Sequence, residues 1–448
     1  MIGSAVHSSH RYYLRLAVLG VSRAPWMSAL MVLVMGIGIG GCITTLTVYR
    51  LLGGDPLPGK SAKLFYPQLD PETGTLVPHS PPDMMDYTSA VALWRSHRAD
   101  RQAIMTSAPI KLLPPNASQS AFMTGMQATT RDFFPMFNVP FRYGGPWSAA
   151  DDAAHARVAV ISSRLNQRLF AGANSVGREL NLGGGVVRIV GVLRHWRPSP
   201  DFFQVAGGRF SDGHTSEFFS RVPDVYLPFF TALRLDYGHF NVFNCWALPS
   251  NFIHLRHAPC NWVSLWVQID SRAKARGYLD YLRNYSQSER ALGRFTHPTN
   301  VRLMDLMQWL RYNDVVPADV RLELLLGWAF LLICLINVAG LLLVKLLRHS
   351  GEYGLRRAIG APRRAVFVQC LYETILIGTF GSILGLLLSS FGLWLVRQQP
   401  VAYASLAHLH TRSFLLALLI SLASIFLAGV WPAWRVSRTS PATMVKQL

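Results

Sequence analysis

The uncharged stretch Leu324–Val344, LLLGWAFLLICLINVAGLLLV, decides the fold of this chain. It is long enough to cross a lipid bilayer as one α-helix, which takes about 20 apolar residues. Three more runs of the same kind begin at Ala24, Thr374 and Ser413. Half of all residues are hydrophobic, only 15% are charged, and the mean hydropathy is +0.24. The sequence therefore predicts a helical membrane protein with four transmembrane helices.

The formal net charge of +19 indicates which segments face which side of the membrane. Three short segments outside the spans hold 12 Lys and Arg against one acidic residue: 1–25, 345–365 and 435–448. The long segment 51–321 is nearly balanced, with 28 basic and 21 acidic residues. Because short basic segments mark the cytoplasmic side, we expect both termini in the cytoplasm and 51–321 outside. The excess charge is then explained by topology and contact with membrane lipids, and nucleic-acid binding is not expected.

The spans and their flanks predict the order of segments along the chain. The first run is too long for a cleaved signal sequence and lacks an Ala-x-Ala exit, so we expect it to be retained. Before it, Tyr12, Tyr13, Leu16 and Leu19 share one side of an amphipathic helix on the cytoplasmic membrane surface. The expected boundaries are amphipathic helix 1–25, first span 26–50, exterior domain 51–321, second span 322–344, basic loop 345–365, third span 366–397, short exterior loop 398–412, fourth span 413–434 and tail 435–448.

Segment 51–321 mixes strand-like and helical patterns, which predicts an α+β domain. Two stretches, 63–122 and 262–303, have a strand–helix–strand rhythm. Between them, 157–193 is rich in β-branched residues, and Gly183–Gly185 predicts a hairpin turn. We therefore expect a split βαβ subdomain with a β-rich insertion.

The stretch Gly54–Ser61, GDPLPGKS, satisfies the phosphate-binding pattern G-x-x-x-x-G-K-[ST]. That pattern binds phosphate when a strand delivers the loop onto the N-terminus of a helix. Here a membrane span precedes the loop, a strand-like stretch follows it, and Pro56 and Pro58 remove two N–H donors. The loop is also expected on the side where ATP is absent. We interpret it as a rigid turn into the first exterior strand.

Cys245 and Cys260 are the two cysteines of the expected exterior domain. An oxidising periplasm would permit a disulfide between them, and the sequence leaves the bonded and free forms both open. The spacing His254-x-x-His257-x-x-Cys260 falls short of the four ligands of structural zinc, so we predict no metal site. Because no arrangement of nucleophile, base and acid is evident, we expect a non-catalytic protein.

Small and polar residues stand out inside the predicted spans. Gly36-x-x-x-Gly40 and Gly381-x-x-x-Gly385 permit close helix packing. Asn337 and Glu373 are the notable polar residues at membrane depth. We expect Glu373 to be satisfied by snorkelling or by an Arg of the amphipathic helix. One carboxylate gives little support to a proton relay.

The basic loop contains the strongest local signals. EYGLRRAI at Glu352–Ile359 predicts a short helix, for which Gly360 is a suitable C-cap. Pro362 suits the first turn of the next helix. Two interpretations remain open: a docking element for a cytoplasmic partner, or a positive anchor that only fixes topology.

One span, a large exterior domain and three further spans resemble the permeases of the MacB/FtsX class of ABC transporters. Three stretches carry the likeness: RVAVISSRLNQRLFAG with NSVGRELNLGGGVVRIVGV within 157–192, GEYGLRRAIGAPRRAVFVQCLYE at 351–373, and WPAWRVSRTSPATMV at 431–445. The resemblance covers nearly the whole chain. It implies an α-helical protein of the bacterial inner membrane with four transmembrane helices plus an α+β periplasmic domain, made of a Porter-like split βαβ subdomain and a β-rich Sabre-like subdomain.

The resemblance also implies a function. A permease subunit of this class would transmit ATP-driven motion to the periplasm, a process called mechanotransmission, and so drive efflux or extrusion. ATP and Mg²⁺ would be bound by a separate cytoplasmic ABC ATPase dimer, with no cofactor on this chain. The implied coupling residues are Glu352, Gly354, Arg356, Arg357, Gly360 and Ala361.

Further partners and alternatives follow from the same resemblance. It implies a second permease, either identical or a paralogue, and it makes a periplasmic adaptor and an outer-membrane channel candidate partners. An FtsX-like regulator of a cell-wall hydrolase is one alternative function, and a lipoprotein-releasing permease is another.

Overall fold

The computed structural model describes residues 2–73, 80–115, 120–235, 239–249, 255–348, 350–408 and 411–438. The chain forms two compact units. The first, which we call the helical unit, comprises Met1–Gly53 and Pro317–Leu448. The second, which we call the α/β unit, comprises Gly54–Val316.

The α/β unit contains both helices and strands, whereas the helical unit lacks strands in its described part. The α-helices are α1 (Ile2–Arg23), α2 (Pro25–Gly53), α3 (Tyr87–Arg95), α4 (Phe133–Met136), α5 (Ala149–Ala154), α6 (Ser163–Phe170), α7 (Phe229–Leu235), α8 (Arg272–Ala291), α9 (Leu306–Tyr312), α10 (Ala318–Arg348), α11 (Ser350–Ala358), α12 (Arg363–Gln398) and α13 (Thr411–Arg438). The strands are β1 (Leu64–Leu69), β2 (Arg101–Leu113), β3 (Phe122–Thr129), β4 (Phe141–Gly144), β5 (Val158–Ile161), β6 (Glu179–Leu182), β7 (Gly185–Leu193), β8 (Val225–Pro228), β9 (Asn244–Cys245), β10 (Cys260–Asn261), β11 (Ser264–Gln268) and β12 (Val301–Asp305).

Four helices in the described part of the chain are long and apolar enough to cross a membrane: α2, α10, α12 and α13 from Phe414 onward. The predicted number of spans is therefore confirmed. Each helix extends beyond its predicted span at both ends, for example α10 over Ala318–Arg348 against 322–344. An α-helix satisfies its own backbone hydrogen bonds, so it can continue past the apolar run.

The two predicted glycine motifs meet where α2 packs against α12. A Cβ atom at Gly40 would lie 3.0 Å from the backbone oxygen of Gly385, and one at Gly36 would lie 2.8 Å from the Leu384 side chain. A Cβ at Gly385 would lie 3.2 Å from the backbone oxygen of Gly36. These positions therefore leave no room for a side chain, and the two helix backbones approach closely as small residues permit.

Helix α1 packs on α12 along one side. The rings of Tyr13 and Tyr372 stack there with centroids 5.8 Å apart, and Ala17 is buried one turn further along. Tyr12 and Leu19, two of the residues predicted on the apolar side, remain exposed. The helix thus combines a packed side with an exposed apolar side.

The strands β1 to β8, β11 and β12 form one sheet among the described residues. Its order is β12–β1–β11–β2–β3–β8–β5–β7–β4, with β6 pairing β2 and β7. The predicted β-rich segment supplies β5, β6 and β7, and the hairpin turn between β6 and β7 contains Gly183 and Gly184, both at positive φ. The predicted α+β fold is confirmed, and strands from both expected subdomains belong to the same sheet.

The longest strand, β2, is not predicted by local patterns. Its first half is buried on both faces over Gln102–Thr106, so it lacks the alternation of a half-buried strand. Pro109 also argues against a central strand, yet it is the register partner of Gly125 on β3. Pairing with β11 on one side and β3 on the other overrides these local signals.

The loop Gly54–Ser61 makes structural contacts within the α/β unit. Its Lys60 Nζ donates to the Pro135 carbonyl oxygen and to Asn138 Oδ1, both at 2.6 Å. A single 3₁₀ turn then leads into β1, which confirms the strand predicted after the loop. The phosphate-binding pattern thus occurs in a turn before a strand.

A disulfide joins Cys245 on β9 to Cys260 on β10, where the two are register partners. The sulfur of Cys260 is therefore unavailable as a metal ligand beside His257. His254 lies outside the described residues. Within the described ranges, no group of three or more His, Cys, Asp and Glu side chains could hold a metal ion.

Candidate functional site between the second and third membrane helices

The segment between α10 and α12 consists of the short helix α11 and a tight turn. Helix α11 is followed by Gly360, whose φ of +106° is readily adopted only by glycine. The N–H of Ala361 donates to the Arg356 carbonyl at 3.0 Å, and that of Gly360 to the Arg357 carbonyl at 3.1 Å. These bonds satisfy carbonyls at the helix end. Pro362 is the N-cap of α12, one position before the predicted first turn.

Polar contacts connect α11 to neighbouring helices. Arg23, the last residue of α1, donates from Nη1 to both carboxylate oxygens of Glu352, at 2.6 and 2.7 Å. Arg356 donates from Nη1 to Oε1 of Gln369 on α12 at 2.9 Å. The Arg23–Glu352 pair is about half exposed, and such pairs contribute only about 0–1 kcal/mol. These contacts therefore orient α11 more than they stabilise it.

Helix α11 and its C-terminal turn also present apolar side chains to solvent. Leu355 is 58% exposed and Ile359 is 79% exposed, while Gly354 is buried. Residues four apart lie on the same side of a helix, so the two form a small apolar patch beside the arginines. Neither Leu355 nor Ile359 is among the coupling residues that the resemblance implies, although the Leu-x-x-x-Ile spacing of the pair is visible in the sequence.

A buried ion pair lies beside this segment. Nζ of Lys345 on α10 lies 2.5 Å from Oε1 of Glu373 on α12, and it donates to Oγ of Ser28 on α2 at 2.9 Å. Both charged residues are almost fully excluded from solvent. A Cβ at Gly20 of α1 would lie 3.1 Å from the Glu373 carboxylate. Four helices therefore converge on one pair of charges.

A cavity of about 30 Å³ lies between these two groups of contacts. This volume is enough for a single water molecule, which needs about 10–15 Å³. Polar side chains from both groups line it: Arg23, Lys345, Glu352, Arg356, Gln369 and Glu373. We call these six residues the polar cluster. It joins α1, α10, α11 and α12 through charges and hydrogen bonds.

The partner of Glu373 differs from the prediction. The Glu373 carboxylate forms an ion pair with Lys345, whereas Arg23 of the amphipathic helix forms an ion pair with Glu352. The long Lys stem lets a residue at the end of an apolar run direct its charge into the helix bundle. Asn337 is exposed on α10 and lies outside the polar cluster.

Two family profiles match most of the chain. The MacB-like periplasmic core domain matches residues 28–275, more than half of the chain, and the FtsX-like permease C-terminal domain matches residues 324–441. The chain belongs to the MacB/FtsX class of ABC transporter permeases. The permease is accordingly an inner-membrane protein with a periplasmic domain, and proteins of its family are membrane components of ABC transporters.

Curated relatives of the permease share low identity with it. A macrolide export ATP-binding/permease protein MacB of Campylobacter jejuni is 29% identical over 140 residues, covering 30% of this chain and 22% of the relative. The MacB of Syntrophobacter fumaroxidans is 21% identical over 376 residues, covering 77% and 50%. The uncharacterized ABC transporter permease YvrN of Bacillus subtilis is 23% identical over 321 residues, covering 70% and 68%. The permease thus spans half or less of the length of these MacB relatives.

The FtsX-like match includes α11 and most of the polar cluster of the permease. Its side chains form ion pairs, hydrogen bonds and a small apolar patch on a short helix. The ion pair with Arg23 and the hydrogen bond with Gln369 hold α11 against α1 and α12, while the apolar patch stays exposed.

Proposed function

We propose that the chain is the permease subunit of a mechanotransmission ABC transporter, with α11 as the coupling helix. In this proposal α11 is seated on a cytoplasmic ABC ATPase dimer that binds ATP and Mg²⁺ on a separate polypeptide. The observation that carries the proposal is the exposed pair Leu355 and Ile359, next to two arginines, on a helix held by Arg23 and Gln369. Exposed apolar residues with a polar rim are typical of protein-binding surfaces.

The proposal requires that α11 faces the cytoplasm. The distribution of charge supports this orientation, because six Lys and Arg lie within 345–365 and short basic segments stay on the cytoplasmic side. Both termini are then cytoplasmic. The segment 51–321, most of which the MacB-like periplasmic core domain matches, is then periplasmic.

In this proposal the ATPase transmits motion to the permease because it binds two arrangements of α11 with different free energies. ATP binding can change the permease only if the ATPase dimer binds one arrangement of α11 more tightly than the other. Movement of α11 would act on α1 through Glu352 and on α12 through Arg356. The buried Lys345–Glu373 pair would then move α10 and α12 together. Chains of packed and hydrogen-bonded groups can carry such coupling between sites.

The MacB relatives are named for macrolide export, which supports efflux or extrusion as the work performed. A second permease, identical or paralogous, a periplasmic adaptor and an outer-membrane channel belong to this proposal as partners. An FtsX-like regulator of a cell-wall hydrolase and a lipoprotein-releasing permease are the alternatives.

Co-purification separates these functions. The tagged permease is extracted from its native membrane in mild detergent, and the bound proteins are identified and quantified. An ABC ATPase in equal amounts together with an adaptor supports efflux. The double variant Leu355→Ser/Ile359→Ser should lose the ATPase while still inserting into the membrane. A hydrolase in place of the adaptor would favour the regulatory function, and a permease isolated without any ATPase would contradict the proposal.

A further inference from the structure

The α/β unit contains a cavity of about 600 Å³ that the proposed coupling does not use. Ligand sites of proteins typically enclose roughly 300–1,000 Å³. Among the described residues, one carboxylate lines the cavity, that of Asp224. Five arginines and one histidine line it as well: Arg142, Arg164, Arg194, Arg197, Arg221 and His195. Since segment 51–321 as a whole is nearly balanced in charge, this excess of positive charge is local.

Strand pairing brings these side chains to one edge of the sheet. Strands β5 and β7 are parallel, with Ile161 opposite Val192, so both end at this edge. Strand β8 is antiparallel to β5 and begins there, with Val225 opposite Ile161. Strand β4 is antiparallel to β7 and also begins there, with Phe141 opposite Leu193. Arg194 directly follows β7, and Arg142 is the second residue of β4. The other three arginines lie three or four residues from the ends of β5, β7 and β8, at the side of the sheet where α/β proteins commonly bind ligands.

The one carboxylate already has partners. Asp224 accepts from Arg164 Nε at 3.1 Å and Nη2 at 2.6 Å, which is a bidentate ion pair. It also accepts from Ser162 Oγ at 2.5 Å and from Thr124 Oγ1 at 3.1 Å. Asp224 therefore neutralises Arg164 and supplies no counter-charge to Arg142, Arg194 and Arg221.

Three of the arginines, Arg142, Arg194 and Arg221, form no ion pair within the described ranges. The half-buried Arg197 donates to the Phe219 carbonyl oxygen at 3.0 Å. Burial, followed by the like charge of Arg221, lowers the pKa of Arg197 below its ordinary value. Arg142, Arg194 and Arg221 are exposed at the surface of the cavity. Like charges that line one cavity repel one another, and a bound anion would relieve that repulsion.

An aromatic side chain gives the cavity an apolar wall. Trp196 is stacked on Phe203 with ring centroids 5.6 Å apart. It also packs edge-to-face on Phe133, with 6.1 Å between the ring centroids. The buried side chains of Leu193 and Val222 continue this wall. A fixed indole next to guanidinium groups suits a ligand that combines negative charge with an apolar part.

We propose that this cavity binds the phosphate group of an amphiphilic organic phosphate, with the apolar part of the ligand against Trp196. Arginine donates two parallel N–H bonds to phosphate oxygens. A dianionic phosphate matches Arg194 and Arg221 together better than a single carboxylate does. The same chemistry is found in a lipid headgroup and in a soluble phosphate ester. The site requires no ATPase, so it stands independently of the proposed coupling.

Calorimetric titration of the purified permease in non-ionic detergent tests the site. Two probes are used, phenyl phosphate and dihexanoyl phosphatidic acid, with zwitterionic dihexanoyl phosphatidylcholine as the comparison ligand. Binding of phenyl phosphate supports a soluble ester, binding of the phosphatidic acid alone supports a lipid headgroup, and affinity should fall as salt rises.

Variants locate the binding. Arg194→Gln/Arg221→Gln should weaken it at least tenfold, whereas Arg276→Gln, which removes an exposed arginine of α8, should leave it unchanged. If the double variant unfolds at a lower temperature than the parent, the two single variants replace it, each with an expected loss of at least threefold. Absence of binding by both phosphates, or equal affinity in the cavity variants and Arg276→Gln, would overturn the proposal.

Discussion

Lys345 and Glu373 lie on different membrane helices and form an ion pair with 2.5 Å between Nζ and Oε1, almost fully shielded from solvent. Neither charge could be buried alone without a cost of several kcal/mol. Ser28 on α2 also accepts a hydrogen bond from Lys345, so the pair connects three of the four membrane helices, α2, α10 and α12. In the permease the ion pair lies next to α11, the proposed coupling helix.

Breaking the pair should destabilise the helical unit strongly. Lys345→Met leaves a buried carboxylate without its counter-charge, which costs about 3–5 kcal/mol. The double variant Lys345→Met/Glu373→Leu should recover most of that loss, because both charges are gone. Thermal unfolding of the detergent-solubilised permease measures both effects. Arg23→Met breaks the half-exposed pair with Glu352 and serves as the control, with an expected loss of at most about 1 kcal/mol. Equal losses in Lys345→Met and Arg23→Met would contradict the assignment.

Two adjacent glycines on α2 offer a matched test of helix packing. A Cβ at Gly40 would press on the backbone of Gly385, while Gly41 has nothing within 4 Å. Gly40→Ala should cost about 1–3 kcal/mol through overpacking. Gly41→Ala should be neutral or stabilising, because alanine favours the helix by up to about 1 kcal/mol over glycine. The two melting temperatures are compared in the same detergent, and equal values would refute the close contact of α2 with α12.

The disulfide of the α/β unit should contribute to its stability. Cys245 and Cys260 are separated by 15 positions, and closing a loop of that length stabilises a fold by about 3 kcal/mol. Cys245→Ser/Cys260→Ser should therefore lower the melting temperature of the periplasmic domain. A reductant should lower it similarly in the parent and leave the double variant unchanged. An unchanged parent under reductant, with the thiols shown to be free, would rule out this contribution.

A buried aspartate should make the stability of the α/β unit depend on pH. Burial raises the pKa of Asp201 well above its ordinary value, so the folded chain keeps a proton that the unfolded chain loses above about pH 4. Stability from this group is therefore complete at low pH and is lost as pH rises, by at most about 1.4 kcal/mol per pH unit.

Asp201→Asn should abolish that loss. The melting temperature of the variant relative to the parent should rise between pH 4 and pH 8. Asp280→Asn on α8, an exposed position, is the matched control and should show a constant difference. A constant difference for Asp201→Asn as well would mean that Asp201 is ionised in the folded chain.

Local sequence patterns predict the membrane helices and the turn at Gly360, because both follow from one stretch of chain and its own backbone chemistry. They also identify both glycine motifs, but only the fold shows that Gly40 and Gly385 meet. In the sequence, Lys345 looks like an ordinary basic residue at the end of a membrane span. Its burial was not predicted, because its side chain extends to Glu373 on another helix. For the same reason β2 is missed, since its neighbours on the sheet come from distant segments.

The most direct test of the coupling proposal follows ATP hydrolysis and periplasmic motion in one preparation. The permease is reconstituted with the ATPase that co-purifies with it, and spin labels on the periplasmic domains of two permeases report their separation with and without ATP. Arg356→Glu or Gly354→Pro should allow insertion and ATP hydrolysis but remove the ATP-dependent change in separation. Arg15→Glu, which inverts a charge on α1 outside α11, should preserve it. A normal ATP-dependent change in both α11 variants would contradict the coupling role of this helix.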